Sequence, residues 1–367
     1  MATRPWIWAL ATIGLIASGQ SAYRIYVNEY LYLGAGGEGM SQGNAFVSRA
    51  SGTESIYWSG GAGLHKYDGP AQVIGMYSSY FGGIVQYLYL GFSRKLHNVQ
   101  GGAIGFSLLR TGVDNIPNTL YLVQPDGSLD FNAVTPFSAA DYAFLISYGQ
   151  PFKGMNAGAT VKILHRKAGT FATAWGFGID IGIQGRYKKW KWGIVGKDIT
   201  STFTVWKFSF TDEEKFILRS TGNVVPERSW ELATPRFIAG VSRKWQVKSW
   251  LSVEPELDVV LTTDGKRNVL IRTDVVSVEP LVGVSVGFAD VAWVRLGAHT
   301  IQKISGWAGK EFWSATPTLG AGLKLGTINI DYALLNIGSV NAALPSHVIS
   351  IRYTFIYPES TESEPRQ

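Results

Sequence analysis

Residues 251–261 read LSVEPELDVVL, and this stretch decides the class of fold. Every second position is apolar, and the positions between include Glu254, Glu256 and Asp258. A repeat of two is the period of a β-strand, so one face of this strand is apolar and the other is acidic. Three carboxylates on one face would be very costly in a dry protein core, and we therefore expect the acidic face to meet water.

Residues 175–184 (WGFGIDIGIQ), 276–286 and 328–334 alternate in the same way. Their bulky apolar face extends over up to about ten residues, opposite a face of glycine, small polar and charged residues. This pattern is typical of a transmembrane β-barrel, whose apolar face meets lipid and whose polar face lines the lumen. A soluble barrel or sandwich has the opposite arrangement, and alternation alone does not say which face is inside.

The lengths of the connections favour the transmembrane barrel. The sequence predicts fourteen strands, at about residues 71–79, 84–94, 101–109, 140–148, 155–165, 174–185, 190–198, 236–244, 251–261, 275–286, 292–299, 315–325, 327–334 and 347–355. The long connections follow odd-numbered strands, at 110–139, 199–235, 262–274, 300–314 and 335–346. Outer-membrane barrels have long external loops and short periplasmic turns, and closure leaves no strand edge unpaired in lipid. We therefore predict an all-β fold, a 14-stranded antiparallel transmembrane β-barrel over residues 71–355.

The composition excludes several other classes of protein. Only 16% of the 367 residues are charged, whereas a soluble domain usually has about 25%. The chain has 43 glycines, 13 Trp, 17 Tyr and 18 Phe, and it has no cysteine, which rules out disulfides, thiolate metal sites and a cysteine nucleophile. The net charge of +6 is spread along the chain without a basic stripe, so nucleic acid is not an expected partner.

Both ends of the chain have features of an exported barrel. Residues 1–19 read as a signal peptide, with Arg4, an apolar run at 6–16 and small residues before a cut preceding Gln20. That run is too short to cross a bilayer comfortably, and the alternative is a buried N-terminal helix. The last strand ends in aromatic residues and resembles an outer-membrane assembly signal, and a polar tail follows it at 356–367. The expected location is the outer membrane.

A glycine-rich segment precedes the first predicted strand. Residues 33–40 read LGAGGEGM and residues 54–64 read ESIYWSGGAGL. So many glycines mark turns or close backbone approach, and the segment has no phosphate-binding P-loop pattern. It resembles the N-terminal signature of the PorV/PorQ family, outer-membrane proteins of the type IX secretion system, and in particular the PorV-like branch. Weaker similarity recurs at 192–195, 235–241, 331–333 and 347–351. Ser59 and Gly60 stand where that family usually has Asn and Pro.

The resemblance implies a FadL-like barrel with a short plug, at residues 20–70, folded into the periplasmic mouth. Fourteen strands leave a space that needs a filler, because eight strands enclose only side chains. The residues of the plug motif are Gly34, Gly36, Gly37, Gly39, Met40, Tyr57 and Trp58.

The sequence contains no recognisable catalytic centre. The five histidines never fall at a metal-ligand spacing, and no G-x-S-x-G or H-E-x-x-H segment occurs. We therefore predict no catalytic residue, no metal ligand and no cofactor, and a protein that is not an enzyme. The predicted lumen charges include Glu254, Glu256, Asp258 and Arg295, which either form a path for a ligand or ion or neutralise one another in a wet lumen. Mixed signs on neighbouring strands favour neutralisation.

The predicted external loop at 199–235 is long and rich in aromatic residues. Its candidate partner-binding residues are Trp206, Phe208, Phe210, Phe216 and Trp230. The first part of the loop either pairs as an added strand with an incoming polypeptide or extends the barrel wall as a hairpin, and the sequence favours neither.

Two functions of different class follow. The resemblance implies a component that binds the C-terminal sorting domain of secreted cargo, with the translocon, the cargo and a sortase as protein partners and outer-membrane lipid around it. The alternative is a FadL-like channel for hydrophobic solutes, which needs an apolar pocket in the lumen. The charged inner face argues against an apolar channel, so the sequence favours the secretion component.

Overall fold

The structure, a computed structural model, describes residues 27–96, 101–124, 126–305, 310–336 and 344–357. The predicted signal peptide at 1–19 and the tail from Pro358 onward lie outside the described residues. Within the described ranges, no helix is long and apolar enough to cross a membrane.

The described residues form eighteen strands in one antiparallel sheet. In chain order they are β1 (Ala71–Tyr80), β2 (Val85–Lys95), β3 (Ala103–Asn118), β4 (Thr135–Phe152), β5 (Met155–Ala168), β6 (Ala172–Tyr187), β7 (Trp190–Lys197), β8 (Thr202–Phe208), β9 (Arg228–Ala233), β10 (Arg236–Arg243), β11 (Trp245–Lys248), β12 (Leu251–Thr262), β13 (Ile271–Arg272), β14 (Ser277–Phe288), β15 (Ala292–Ser305), β16 (Glu311–Leu325), β17 (Ile328–Leu335) and β18 (Ser346–Thr354). All strands except β8, β9, β11 and β13 pair in a ring of fourteen, which the pairing of β1 with β18 closes. The predicted 14-stranded barrel is confirmed.

The alternation in β12 separates the two faces of the wall. Leu257 and Val259 point outward and are 44% and 38% exposed, whereas Glu256 and Asp258 point into the lumen and are 3% and 0% exposed. In β12 the bulky apolar side chains therefore face outward and the charged ones face inward, as the lipid-facing pattern requires. On β1 to β5 the inner face also carries bulky residues, among them Tyr87, Tyr89 and Leu109, which belong to a core shared with the plug.

The strands extend further toward the long-loop end than the sequence predicts. The connection predicted at 110–139 shrinks to 119–134, because β3 reaches Asn118 and β4 begins at Thr135. Beyond the apolar band both faces of a strand meet water, so alternation no longer marks the strand. The segment 199–235 is also largely regular: β8 and β9 form a hairpin whose connection contains helix α3 (Asp212–Ser220). Helices α1 (Gly37–Met40) and α2 (Ser55–Trp58) precede the barrel and belong to the plug.

A plug made of residues 27–66 fills the lumen. It contains a 3₁₀ turn (Glu29–Tyr32) and two short helices, α1 (Gly37–Met40) and α2 (Ser55–Trp58). The expectation of a plug confined to the periplasmic mouth is corrected. Asn28 Nδ2 lies 3.4 Å from Thr204 Oγ1 near the long-loop end, whereas His65 Nε2 lies 2.9 Å from Asn156 Oδ1 at the short-turn end. The plug segment therefore extends along most of the length of the lumen, because a bore of fourteen strands is wide along its whole length.

The inward glycines of the wall allow the plug backbone to touch it. A Cβ atom at Gly297 would overlap the backbone of Gln42, and one at Gly182 would overlap the carbonyl oxygen of Ser59. These two close approaches explain why the inner face of β6 and β15 has glycine at these positions.

Candidate functional site

Carboxylates of β12 hold the backbone of the plug. One oxygen of Asp258 accepts hydrogen bonds from the Phe46 and Val47 N–H groups at 2.9 and 3.0 Å, and Glu256 accepts one from Ser48 N–H at 2.7 Å. Buried N–H groups need such partners, so the acidic face predicted from the sequence serves the plug and does not line an open pore.

Ion pairs tie the plug to the wall on two sides. Arg49 of the plug pairs with Glu256 at 2.5 Å and lies 3.7 Å from Glu254. Further round the wall, Arg295 on β15 pairs with Asp331 on β17 at 2.7 Å and lies 3.6 Å from the carboxylate of Glu38 in the plug. Each of these charges has an opposite charge beside it, which offsets the cost of taking it out of water.

Asp258→Ala should loosen the plug. The substitution leaves two buried N–H groups without an acceptor, at a cost of about 2–5 kcal/mol. We expect trypsin to cleave after Arg49 at least tenfold faster in the folded, detergent-solubilised barrel. Glu311→Ala is the control, because that exposed carboxylate lies 4.0 Å from Lys303 in a surface pair. Equal cleavage rates in both variants and the parent would contradict the assignment.

The residues of the plug motif pack on one another. The indole N–H of Trp58 donates to the Ala35 carbonyl at 2.6 Å, and the Tyr57 hydroxyl accepts from the Gly34 N–H at 2.8 Å. Gly39 lies against the Trp58 ring, where a Cβ would collide with the indole.

The other motif glycines contact the barrel wall. Gly36 N–H donates to the Met76 sulfur at 3.0 Å and Gly37 N–H to the Ser350 hydroxyl at 2.8 Å. The motif therefore builds the fold of the plug and its seat on the wall, and its Met40 and Trp58 side chains also border a cavity.

A cavity of about 390 Å³ lies between the plug and the wall toward the long-loop end. Its position follows from Thr262, Ser277 and Asn336, which line it at or beside the long-loop ends of their strands. Plug and wall both contribute apolar and aromatic lining, from Leu33, Met40, Tyr57, Trp58, Ile238, Val260, Leu281 and Leu335. Nearly half of the lining residues are polar or charged, namely Glu29, Asn44, Lys197, Arg236, Thr262, Arg267, Ser277, Glu279, His299, Thr300 and Asn336. A concave site that combines apolar surface with polar groups is typical of a small-molecule site.

Charged residues occupy one side of this cavity. Glu29 of the plug pairs with Arg236 at 3.1 Å and with Arg267 at 2.8 Å. The Arg236 guanidinium also lies over the Tyr32 ring, 3.4 Å from its centroid, and Lys197 Nζ lies 4.0 Å from the Tyr57 centroid. These contacts hold the cations along one edge and leave the apolar lining beside them.

The loop residue Arg267 stays charged. Partial burial lowers the pKa of its guanidinium, but hydrogen bonds to Asp264 and Glu29 raise the pKa above its usual value. The pairing of Arg267 with Glu29 connects the loop at 263–276 to the plug.

The predicted partner-binding residues do not form one surface. Trp206 points inward, with the Arg166 guanidinium 4.9 Å from its ring, and it stacks with Phe208, which stacks with Phe210. Phe216 on α3 and Trp230 on β9 are 72% and 60% exposed. β8 pairs with β6 on one edge and β9 on the other, so it has no free edge for an added strand. Cargo binding by these five residues stays a prediction.

Sequence reasoning missed the charged edge of the cavity. Glu29, Tyr32 and Lys197 carry no motif that marks them. Arg236 does carry a signal: it stands at an inward position of β10 (RFIAGVSR), a strand whose other inward residues are small or apolar until Ser242. Within the described ranges, no group of three or more His, Asp or Glu side chains is arranged to hold a metal ion.

No family model matches the sequence, and no curated protein matches it. Solved structures do match the fold. The toluene transporter TodX of Pseudomonas putida is 11% identical, with a TM-score of 0.52, and the alignment covers 88% of this chain and 98% of that one. The monoaromatic hydrocarbon channel CymD is 10% identical with a TM-score of 0.51, over 89% and 98% of the two chains. A FadL homologue of Pseudomonas aeruginosa is 12% identical with a TM-score of 0.50, over 88% and 98%.

The fold is therefore that of the FadL-type outer-membrane barrels. At 10 to 12% identity the similarity concerns the fold alone. None of the three structures bears on the type IX secretion assignment, which stays a prediction.

Proposed function

We propose that this protein is an outer-membrane channel that admits small apolar or amphipathic molecules through the lumen cavity. The observation that carries the proposal is the cavity of about 390 Å³ between plug and wall, whose lining combines apolar and aromatic side chains with polar and charged ones. This volume lies within the range of about 300–1,000 Å³ that is usual for small-molecule pockets.

Because the plug occupies the lumen, we do not assign the protein as an open, water-filled pore. Its backbone touches the wall at Gly182 and Gly297, and its charges pair with wall charges, so little room is left for hydrated ions. An apolar solute gains by leaving water for the lining of Trp58, Ile238 and Leu281. The charged edge at Arg236 suits a polar end group on an amphipathic solute.

The position of the β12 carboxylates answers the objection from the sequence, which is that an acidic inner face is unsuitable for an apolar conduit. Glu256 and Asp258 bind the plug, and the same face continues as Val260, which lines the cavity. The channel is therefore placed ahead of the secretion component, and the similarity of fold to hydrocarbon channels supports that order.

Location in the outer membrane is part of the proposal and has its own test. The outward face carries many exposed large apolar side chains, among them Trp175, Phe177, Leu257 and Ile351. We expect the exported protein to fractionate with outer membranes and to stay dispersed only when detergent is present. A monodisperse monomer in detergent-free buffer would contradict this location.

The transport assay uses liposomes that contain the purified protein and have lipopolysaccharide in the outer leaflet, because apolar solutes cross a plain phospholipid bilayer without a protein. We expect uptake of radiolabelled toluene or of a medium-chain fatty acid to exceed uptake by such liposomes with an unrelated closed barrel of similar size. A fluorescent sugar of similar size should be excluded by both. Equal uptake of the apolar probe in both preparations would overturn the channel assignment.

Secretion of cargo is the second candidate, and one feature of the structure favours it. β9 pairs with β8 on one edge, and among the described residues its other edge pairs with no strand. An incoming β-rich domain would find an open edge there, with Trp230 beside it. In a strain that uses type IX secretion, a clean deletion should leave cargo unanchored, and a pull-down in mild detergent should contain the translocon or a sortase. Normal cargo display in the deletion strain would remove this candidate.

A further inference from the structure

The short-turn end of the barrel carries a concentration of positive charge. In and beside the turns after β4, β6 and β10 lie six cations and no carboxylate: Lys153, Lys188, Lys189, Arg243, Lys244 and Lys248. The turn after β14 adds one carboxylate, Asp290, which pairs with Lys244 at 2.7 Å. A local excess of cations attracts an anionic partner at this rim.

Arg243 stands on the outer surface of the barrel beside two tryptophans. It is paired across the sheet with Trp190, and its neighbour Ser242 points into the lumen. The guanidinium carbon lies 5.4 Å from the Trp190 ring centroid and 5.3 Å from that of Trp245, and the two rings, which touch edge to face, are 6.3 Å apart. The guanidinium and the two rings therefore form a triangle, which fixes the position of Arg243 and leaves its outer N–H groups to be satisfied.

Among the described residues, no hydrogen bond or ion pair involves the Arg243 side chain, and none of the ion pairs involves Lys188, Lys189 or Lys248. The Nε atom is buried and cannot reach a molecule outside the barrel. The terminal Nη groups are not buried, and they can donate to an external anion at the lipid-facing surface.

The aromatic side chains give the depth of this site in a membrane. Trp190, Trp245 and Trp250 are 41%, 40% and 49% exposed at this end of the outer surface. Tryptophans form girdles at the level of the lipid headgroups in outer-membrane barrels. The acceptor within reach at that level is a lipid phosphate.

We propose that Arg243, flanked by Trp190 and Trp245 and reinforced by Lys248, binds the phosphate of an anionic phospholipid in the leaflet at the short-turn end. The acyl chains lie along the outward residues Ile194 and Val241, which continue the same face toward the membrane centre. The site rests on the proposed outer-membrane location and is independent of solute transport through the lumen.

The test is native mass spectrometry of the delipidated full-length protein in detergent, titrated with phosphatidylglycerol or phosphatidylcholine. We expect the parent to retain phosphatidylglycerol in preference to phosphatidylcholine, and Arg243→Gln to weaken phosphatidylglycerol binding about tenfold, the loss expected for one charge-assisted hydrogen bond. Lys207→Gln is the matched control, because Lys207 is an exposed cation on the outward face of β8 at the long-loop end. That variant should bind as the parent does.

Two results would overturn the lipid site. One is equal phosphatidylglycerol binding by the parent and Arg243→Gln. The other is displacement of the lipid by millimolar inorganic phosphate, which would identify a site for the free anion. Heat-modifiable migration in gel electrophoresis confirms that each variant is folded. Solute uptake in liposomes with lipopolysaccharide in the outer leaflet and phosphatidylcholine in the inner leaflet separates this proposal from the channel, because Arg243→Gln should leave that uptake unchanged.

Discussion

A chain in which the export signal is joined directly to His65 is expected to conduct ions across a planar bilayer. Without residues 20–64 the fourteen-stranded wall encloses a wide bore, whose inner face carries glycine and charged residues together with the aromatic and aliphatic residues that packed on the plug. The deletion releases carboxylates such as Glu256 and Asp258 and also arginines such as Arg236 and Arg352, so the bore is wet and carries charges of both signs. Single-channel recording should show a conductance at least tenfold above that of the intact protein.

The comparison requires that the barrel still folds when the plug is deleted. Heat-modifiable gel migration and a β-rich circular dichroism spectrum are the checks, and Asp258→Ala, which keeps the plug but weakens its seat, should give an intermediate conductance. An intact protein that conducts as well as the plug-less chain would contradict the sealed lumen.

Val260→Trp is expected to lower uptake of an apolar solute at least tenfold. Val260 points into the lumen and lines the cavity beside Ile238 and Leu281, so an indole there occupies the space that the solute needs. Overfilling costs about 1–3 kcal/mol of stability, which a fourteen-stranded barrel tolerates. The measurement is toluene or fatty-acid uptake by liposomes containing equal amounts of folded protein.

The matched control for this substitution is the preceding residue. Val259 points outward and is 38% exposed, so Val259→Trp adds the same side chain to the lipid-facing surface. Uptake by this variant should equal that of the parent. If the two tryptophan variants transport equally well, the cavity is not on the route of the solute.

The barrel could be predicted from the sequence because strand alternation is a local property. In β12 the acidic and apolar residues alternate from Val253 to Val259, and the parity of loop lengths then shows which end carries the turns. The ends of strands at the long-loop side could not be predicted as well. At Asn118 and Thr135 both faces of the wall meet water, and the pattern that marks a strand disappears.

The cavity could not be predicted, because it depends on contacts between distant parts of the chain. Tyr32 and Arg236 meet only after the plug has folded inside the closed wall. The charges of β12 were placed on the correct face, but their partners are backbone N–H groups of Phe46 and Val47, which carry no side-chain signal. Without those partners the acidic face indicated a wet lumen, and the secretion component was favoured over the channel.

Crystals of the protein soaked with bromobenzene provide the most direct test of the central claim. Bromine scatters anomalously, so its position can be read without a model of the solute. The account predicts a bromine peak inside the lumen, bordered by Trp58, Ile238 and Leu281, and no such peak in crystals of Val260→Trp. Bromine bound only at the outer surface of the barrel, with no bromine peak in the cavity of the parent protein, would contradict the account.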